Sequence, residues 1–595
     1  MISIATMIFY GSKKEGLHID EVYSYGLANS EYLPFMHFGT MEYSVKDWML
    51  EYGAGESLAD LFRNLVNDFK ILKESNFQWK ETVIYQDYLI AQANSSDTYT
   101  TTWVSGQDYQ DYIAVSESNT FNYASVYYNQ RGDVHPPLFY ILLHTVCSVF
   151  QGQFSVWYAL GLNIVILTLT LILLYRMVSR YLGGETVALL TIAVYGLSCG
   201  FMTTAVFLRM YALLTFMVTA CLYVHLRIAD QKDVVRGYTR FLLMISVLGG
   251  FLTHYYFVIY AIMIAVVTVC RMAWHRRFKQ IFQYVLTLGV SAGIGLIIWP
   301  FAIKHVFSGY RGQEALEALG GEYYFSKFRL MFQSIVESLF EGNWWIFWMA
   351  VILTMGGCVL EFISLYQKKH LAQAGSTKAE EAVSETVPEK KKFEIKISGL
   401  YRMPWAKGCL AVLPAAGYVY VVSQIVPIYV ERYVMCVFPL CCLLVVAGPA
   451  LLLRRLILSP QVKGAAAVLF GAALLWSGSC YLHEPGYLGT SGQLTIELPD
   501  NSYCVYVLHE GNYNESAVDS TILAQCEAVA VVWQENLEVL TGTYEYHEGD
   551  TIVIAVEDIL PVETVIAEVR EVLNAEDLTE SFLWQSQAAY FFILQ

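Results

Sequence analysis

A small set of charged side chains sits beside the ends of long apolar runs: Asp20 and Glu21, Asp133 and His135, Arg209, His254, Lys304, Arg311, and Glu431 with Arg432. Charge at membrane depth is costly, so such residues are functional candidates by default. They come from sequence-distant places, as an active site between helices requires. A carboxylate pair beside several cations suits transfer from a donor that carries a phosphate. The cations would hold the phosphate leaving group, and a carboxylate would take the acceptor's proton. Taken singly, each residue also has an ordinary reading. Asp20-Glu21 would serve as a solvated helix start, and His135 ahead of two prolines as a loop-to-helix entry. Arg209 would serve as a boundary residue reaching for water, and His254 as a satisfied hairpin residue.

The elements that must hold these groups are membrane spans. The 595 residues are 56% hydrophobic and only 15% charged, with a mean hydropathy of +0.42. A soluble chain carries about a quarter charged residues. The apolar residues gather in uncharged runs of about 20, the length a helix needs to cross a ~30 Å hydrocarbon layer. A net charge of −16 without a basic stripe speaks against nucleic acid as a partner.

The candidate spans are 156–175, 186–207, 210–226, 281–303, 344–366, 408–426, 433–453 and 464–482, with the uncharged stretch 241–270. The connectors 176–180, 227–240, 271–279, 368–407 and 454–463 hold 22 of the 37 Lys and Arg residues, which places all five in the cytoplasm. For 227–240 and 271–279 to share a side, 241–270 must cross twice. It reads as two short helices with an outer hairpin at Thr253-His254-Tyr255-Tyr256. Pro136–Phe150 is short for a span and reads as an amphipathic helix on the outer surface. That leaves 304–343 outside as well. Ile2–Tyr10 is also too short to span and lacks the basic start and cleavage site of a signal peptide. It reads as part of a first transmembrane helix that contains Met1.

The expected fold class is an α-helical polytopic membrane protein with about eleven transmembrane helices and a small C-terminal α/β domain. Residues 1–10 are the partial first helix. Residues 11–155 form an extracytoplasmic loop carrying the interfacial helix 136–150, and 156–366 form the transmembrane core. A cytoplasmic linker at 367–406, including Lys390-Lys391-Lys392, has no apolar period and reads as disordered. Further transmembrane helices fill 407–482, and 483–595 is the extracytoplasmic domain. That tail carries 20 acidic residues against one basic residue, Arg570. Its strand-like runs at Tyr503–Leu508, Ala528–Trp533, Thr551–Val556 and Ala589–Leu594 alternate with helix-like stretches such as Glu563–Leu573. No glycine-rich phosphate loop accompanies them.

Eight of the twelve cysteines lie in apolar runs as small hydrophobes. No CxxC pair or Cys/His ligand spacing occurs, so neither a metal nor another cofactor is expected. Cys504 and Cys526 could form one disulfide or remain two thiols.

Two segments resemble a known family. His18-Ile19-Asp20-Glu21-Val22-Tyr23 follows the first apolar run, and Asp133-Val134-His135-Pro136-Pro137-Leu138 opens the interfacial helix. Together they resemble the protein O-mannosyltransferases and their bacterial relatives, GT-C-fold glycosyltransferases that use polyprenyl-phosphate sugars. Leu208-Arg209-Met210-Tyr211, Glu431-Arg432-Tyr433 and Pro439 resemble elements of the bacterial branch. The resemblance covers roughly residues 10–480. It implies an inverting transfer with Asp20 as general base and Glu21 as its catalytic neighbour. It implies that His135, Arg209, Arg432 and Lys304 hold the donor phosphate, and that Asp133, Tyr211, His254 and Glu431 line the substrate site. The implied partners are a lipid-linked sugar donor, the membrane, and an envelope glycan, lipid or protein as acceptor. Two departures matter. Val156-Trp157-Tyr158 stands where the family often has an arginine, and the loop between Glu21 and Asp133 is longer than usual.

The competing reading is a transporter or a non-catalytic binder of envelope glycans. A transporter should place polar groups at the bilayer midplane. Here the ionisable residues concentrate at one boundary, with Glu361 as the one clear acid inside a span. That favours the enzyme.

Overall fold

The computed structural model describes residues 1–36, 66–67, 69–71, 73–75, 103–231, 234–307, 310–320, 324–360, 363, 404–456, 458–489, 493–509, 515–544, 546–547 and 549–595. Glu361 and linker residues 367–403 lie outside them. The chain forms two compact units: one of residues 1–13, 134–139 and 160–487, the other of 14–133, 140–159 and 488–595.

Six described helices are long and apolar enough to cross a membrane: Val156–Leu182, Tyr211–Ala229, Tyr256–Trp274, Phe278–Ile298, Lys407–Ile425 and Met435–Arg454. Their outward faces are apolar. In Phe278–Ile298 only 17% of the apolar window is buried, and Ile297 is 82% exposed. Such surface is a liability in water and a requirement in lipid. The chain is a multi-pass membrane protein.

The reading of 241–270 as two helices matches the structure, with Gly237–Phe251 and Tyr256–Trp274 separated by a short break. His254 makes the second start, its Nδ1 accepting the Tyr256 N–H at 3.1 Å. The turn is tight. A Cβ on Gly250 would come within 2.4 Å of the Phe257 ring, so only glycine lets the two helices close there.

Two other segments differ from expectation. The run 186–207 is not one helix but two, Glu185–Gly196 and Cys199–Val206. Ser198 breaks it, its Oγ capping the second helix by accepting the Phe201 N–H at 3.1 Å. In 304–343, expected to lie outside the membrane, the described residues form the helices Phe301–Phe307, Tyr310–Gly320 and Phe325–Phe340. Phe325–Phe340 and Trp344–Leu360 together pass as one apolar pair bent by 99°. Glu341 and Gly342, at φ 50° and 70°, make the bend in left-handed backbone. A count of eleven also draws on segments that form shorter helices: Ile2–Gly11, Glu185–Gly196, Gly237–Phe251 and Pro460–Ser477.

The second unit contains a six-stranded sheet. Its strands are β1 (Trp103–Ser105), β2 (Ser502–Leu508), β3 (Ala528–Trp533), β4 (Thr551–Glu557), β5 (Glu580–Gln585) and β6 (Ala589–Leu594), in the order β1-β3-β2-β4-β6-β5. β2 runs parallel to β3 and β4, and the other pairs are antiparallel. The parallel strands are buried continuous apolar runs, as strands covered on both faces must be. The helix Val562–Val572 packs Val565, Ile566 and Val569 into this core. β5 escapes the sequence because its first three residues, Glu580, Ser581 and Phe582, are exposed and show no buried face. The sheet is not made from the tail alone, since β1 comes from the loop between Glu21 and Asp133. Cys504 and Cys526 are buried thiols. Burial, with Cys526 alongside, pushes the Cys504 thiol well up.

Candidate active site

Asp20 and Glu21 open the helix Ile19–Asn29 in the second unit. His18 caps it, its Nδ1 accepting the Asp20 N–H at 3.1 Å while Glu21 Oε2 accepts the His18 N–H at 2.6 Å. This is a capping box with histidine in the usual Ser/Thr place, and acids in the first turn also meet the positive end of the helix dipole. Lys14 Nζ reaches the same Glu21 oxygen at 3.0 Å, with both side chains fully buried. The two adjacent acids therefore differ in environment. Glu21 is committed to Lys14 and the cap, whereas the Asp20 side chain is 30% exposed with the His18 ring 3.6 Å away. Asp133 ends the helix Tyr123–Gly132 and is half-buried. Burial first, then Tyr23 and Asp133, raise the Tyr112 hydroxyl well above its usual range, so it stays protonated.

The other predicted residues lie in the first unit, where aromatic rings link several of them. His135 and His254 meet edge to face with centroids 5.4 Å apart, and the Tyr211 ring lies 5.9 Å from His254. His254 leads to Tyr256 at 4.9 Å and Tyr256 to Tyr433 at 5.7 Å. The Arg432 guanidinium lies 5.5 Å from the Tyr433 ring, inside cation–π reach. Tyr418 donates to the Tyr433 carbonyl at 2.7 Å and so fixes the Glu431–Tyr433 turn. Phe207 stacks on both Tyr211 and Tyr487, at 5.5 and 3.9 Å. Burial, then Glu431, push the Tyr487 hydroxyl well up, which keeps it a donor beside that carboxylate.

Arg209 is buried, and its N–H donates to Phe207 at 2.8 Å. Its backbone places it between Phe207 and Tyr211, the two stacked rings of the network. Lys304 is half-buried on Phe301–Phe307 beside His305, whose Nδ1 lies 2.8 Å from the Tyr255 hydroxyl. Arg311 is exposed and pairs with Glu314 at 3.1 Å.

The rings thus gather His135, Tyr211, His254, Glu431 and Arg432 in one network. Sequence reasoning missed Lys14, Tyr256 and Tyr487. Lys14 reads as an ordinary basic flank seven residues from its partner. Tyr487 follows the last apolar run with no motif to mark it. Among the described residues, no group of three or more His, Cys, Asp or Glu side chains is gathered as a metal site requires.

A family model described as dolichyl-phosphate-mannose-protein mannosyltransferase matches residues 134–299. No curated protein matches the chain by sequence. Among solved structures, ArnT from Cupriavidus metallidurans bound to undecaprenyl phosphate is similar at 12% identity and a TM-score of 0.40, covering 77% of this chain and 87% of that one. The same protein in the apo state gives 11% and 0.42, covering 82% and 93%. Scores this low leave the fold to be read from the chain's own helices and sheet. The family match spans His135, Arg209, Tyr211 and His254, four of the residues expected at the site. The resemblance carried by the HPPL and Leu208–Tyr211 motifs holds there: residues 134–299 have the pattern of the dolichyl-phosphate-mannose-protein mannosyltransferases, a family of membrane glycosyltransferases.

Proposed function

We propose that the protein transfers a sugar from a polyprenyl-phosphate donor to an acceptor on the outer face of the membrane, with inversion and with Asp20 as general base. One observation carries the assignment of the base. Of the two adjacent acids, Glu21 is locked in a buried ion pair and Asp20 is left reachable. The family match supports the donor class.

In this reaction the acceptor hydroxyl or amine attacks the anomeric carbon and gives its proton to Asp20. The bond between that carbon and the phosphate oxygen breaks, and the lipid leaves as a phosphate anion. Arg209, Arg432, Lys304 and His135 supply positive or donor groups for that anion, as developing charge on a leaving group requires. Asp133, Tyr211, His254 and Glu431 line the substrate site. Aromatic faces and fixed polar groups suit a sugar, which has apolar ring faces and hydroxyl edges. The acceptor would be an envelope glycan, a lipid or a protein.

The test is twofold. Mass spectrometry of lipid that co-purifies with the chain should find a polyprenyl-phosphate sugar. Transfer from that lipid should be abolished or strongly reduced in Asp20→Asn. Failure of any polyprenyl-phosphate sugar to bind or turn over would leave a non-catalytic glycan-binding protein as the better reading.

A further inference from the structure

We infer that the acidic C-terminal region is a positioning element for Asp20, acting through Gln587 and Gln493; this rests on Asp20 being the base. Residues after 487 hold the segment before Asp20 by five hydrogen bonds, the longest from the Gly16 N–H to Leu488 O at 3.4 Å. Glu15 donates its N–H to Leu488 O at 2.9 Å, and Leu494 donates to Glu15 O at 2.8 Å. Gln493 Oε1 accepts the Leu17 N–H at 3.3 Å, and Gln587 Oε1 accepts the Ile19 N–H at 3.1 Å. Ile19 is the first residue of the helix that carries Asp20, and its N–H has no acceptor within that helix. Gln587 supplies one, directly beside the carboxylate.

Both glutamines are themselves fixed. Gln587 lies in the turn between β5 and β6, where Ser586 Oγ accepts the Ala588 and Ala589 N–H groups at 2.9 and 2.8 Å. Ser586 donates in turn to Asp519 Oδ2 at 3.1 Å, which also receives the Tyr506 hydroxyl at 2.9 Å. Asp519 is fully buried. Gln493 is buried too, and its Nε2 donates to Val518 O at 3.2 Å. The two contacts thus start from neighbouring residues, Val518 and Asp519. Gly489, at φ +68°, passes so close that a Cβ there would lie 2.4 Å from the Gly16 backbone. The base is therefore mounted on a segment that the tail clamps on two sides. Reacting groups need this kind of rigid support, since a 1 Å displacement can cost about 10²-fold in rate.

The experiment uses the full chain with dolichyl-phosphate mannose as donor probe. Gln587→Ala should lower kcat by about 10- to 100-fold with donor KM unchanged. Gln587→Glu keeps an acceptor oxygen and should stay within about threefold of the parent, since the N–H is still met. In an Asp20→Asn background, Gln587→Ala should cost nothing more, because the group it positions is gone. Hydrogen exchange of the peptide 14–29 should rise in Gln587→Ala and not in Gln587→Glu, and this measurement decides should the probe not turn over. If Gln587→Ala does not fold, Gln493→Ala takes its place with the same expectations. Parental turnover and exchange in both alanine variants would overturn the inference while leaving Asp20 as base. An equal rate loss with and without Asp20 would also overturn it. Full activity of Asp20→Asn would sink the base assignment and this inference together.

Discussion

Lys14 and Glu21 form an ion pair with Nζ 3.0 Å from Oε2 and both side chains out of water, while Asp20, one residue away, keeps 30% of its side chain exposed. Two adjacent acids at a helix start are chemically alike in sequence. Their environments divide the work. A buried charge pair holds its geometry only when further hydrogen bonds complete it, and the His18 N–H to Glu21 at 2.6 Å does so here.

Removing one partner of that pair should therefore be costly. Lys14→Met leaves Glu21 as an uncompensated buried charge, a change that typically costs about 3–5 kcal/mol. A large fall in the thermal midpoint of the detergent-solubilised protein is expected. Lys14→Met with Glu21→Gln should recover much of it, because no lone charge is then left inside. Equal midpoints for the single and double variants would contradict the assignment of Glu21 to stability.

Asp20→Asn should leave that midpoint nearly unchanged and act on turnover. It preserves size and polarity but cannot take a proton. A loss of about 10²–10⁴-fold in kcat is expected, the usual worth of general base catalysis. Donor binding, measured by isothermal titration or by co-purified lipid, should remain. Loss of binding in step with turnover would mean that Asp20 holds substrate instead.

The motifs proposed for the reaction are legible because their chemistry is local. An acid pair after an apolar run, HPPL at a helix start, and Glu431-Arg432-Tyr433 each show themselves within a few residues. The break at His254 was legible for a different reason, since two basic connectors cannot share a side unless 241–270 turns back. The support was not legible. Lys14, Gln493 and Gln587 are ordinary polar residues, and what makes them matter is contact across as many as 568 positions of sequence. β1 was hidden in the same way: three residues of a long acidic loop join a sheet whose other strands begin at Ser502. Periodicity reports which face is buried, not what it is buried against.

The cations should separate from Asp20 in kinetics. Arg209→Ala and Arg432→Ala each remove a guanidinium assigned to the donor phosphate, and charge-assisted hydrogen bonds of this kind are worth about 1.5–3 kcal/mol. Donor affinity should weaken by roughly 10- to 100-fold, from the same energy range. Arg432→Lys should recover only part of it, because an ammonium keeps the charge but loses the planar fork. Unchanged donor affinity in both alanine variants would remove the arginines from the phosphate site.

The orientation is tested by where a membrane-impermeant thiol reagent can reach. The connectors rich in Lys and Arg should face the cytoplasm, since chains retain such segments on the inside. With the exposed Cys270 and Cys358 replaced, Ser376→Cys in the 367–406 linker should stay shielded in intact cells and label only after the membrane is opened. Glu538→Cys, exposed beside β3, should label in both conditions. Two crossings in 241–270 decide which of these sites faces the cytoplasm: were that stretch a single crossing, both would invert. Labelling of the linker in intact cells, with the tail shielded, would place Asp20 and the tail that clamps it on the cytoplasmic side. The acceptor would then have to be sought there.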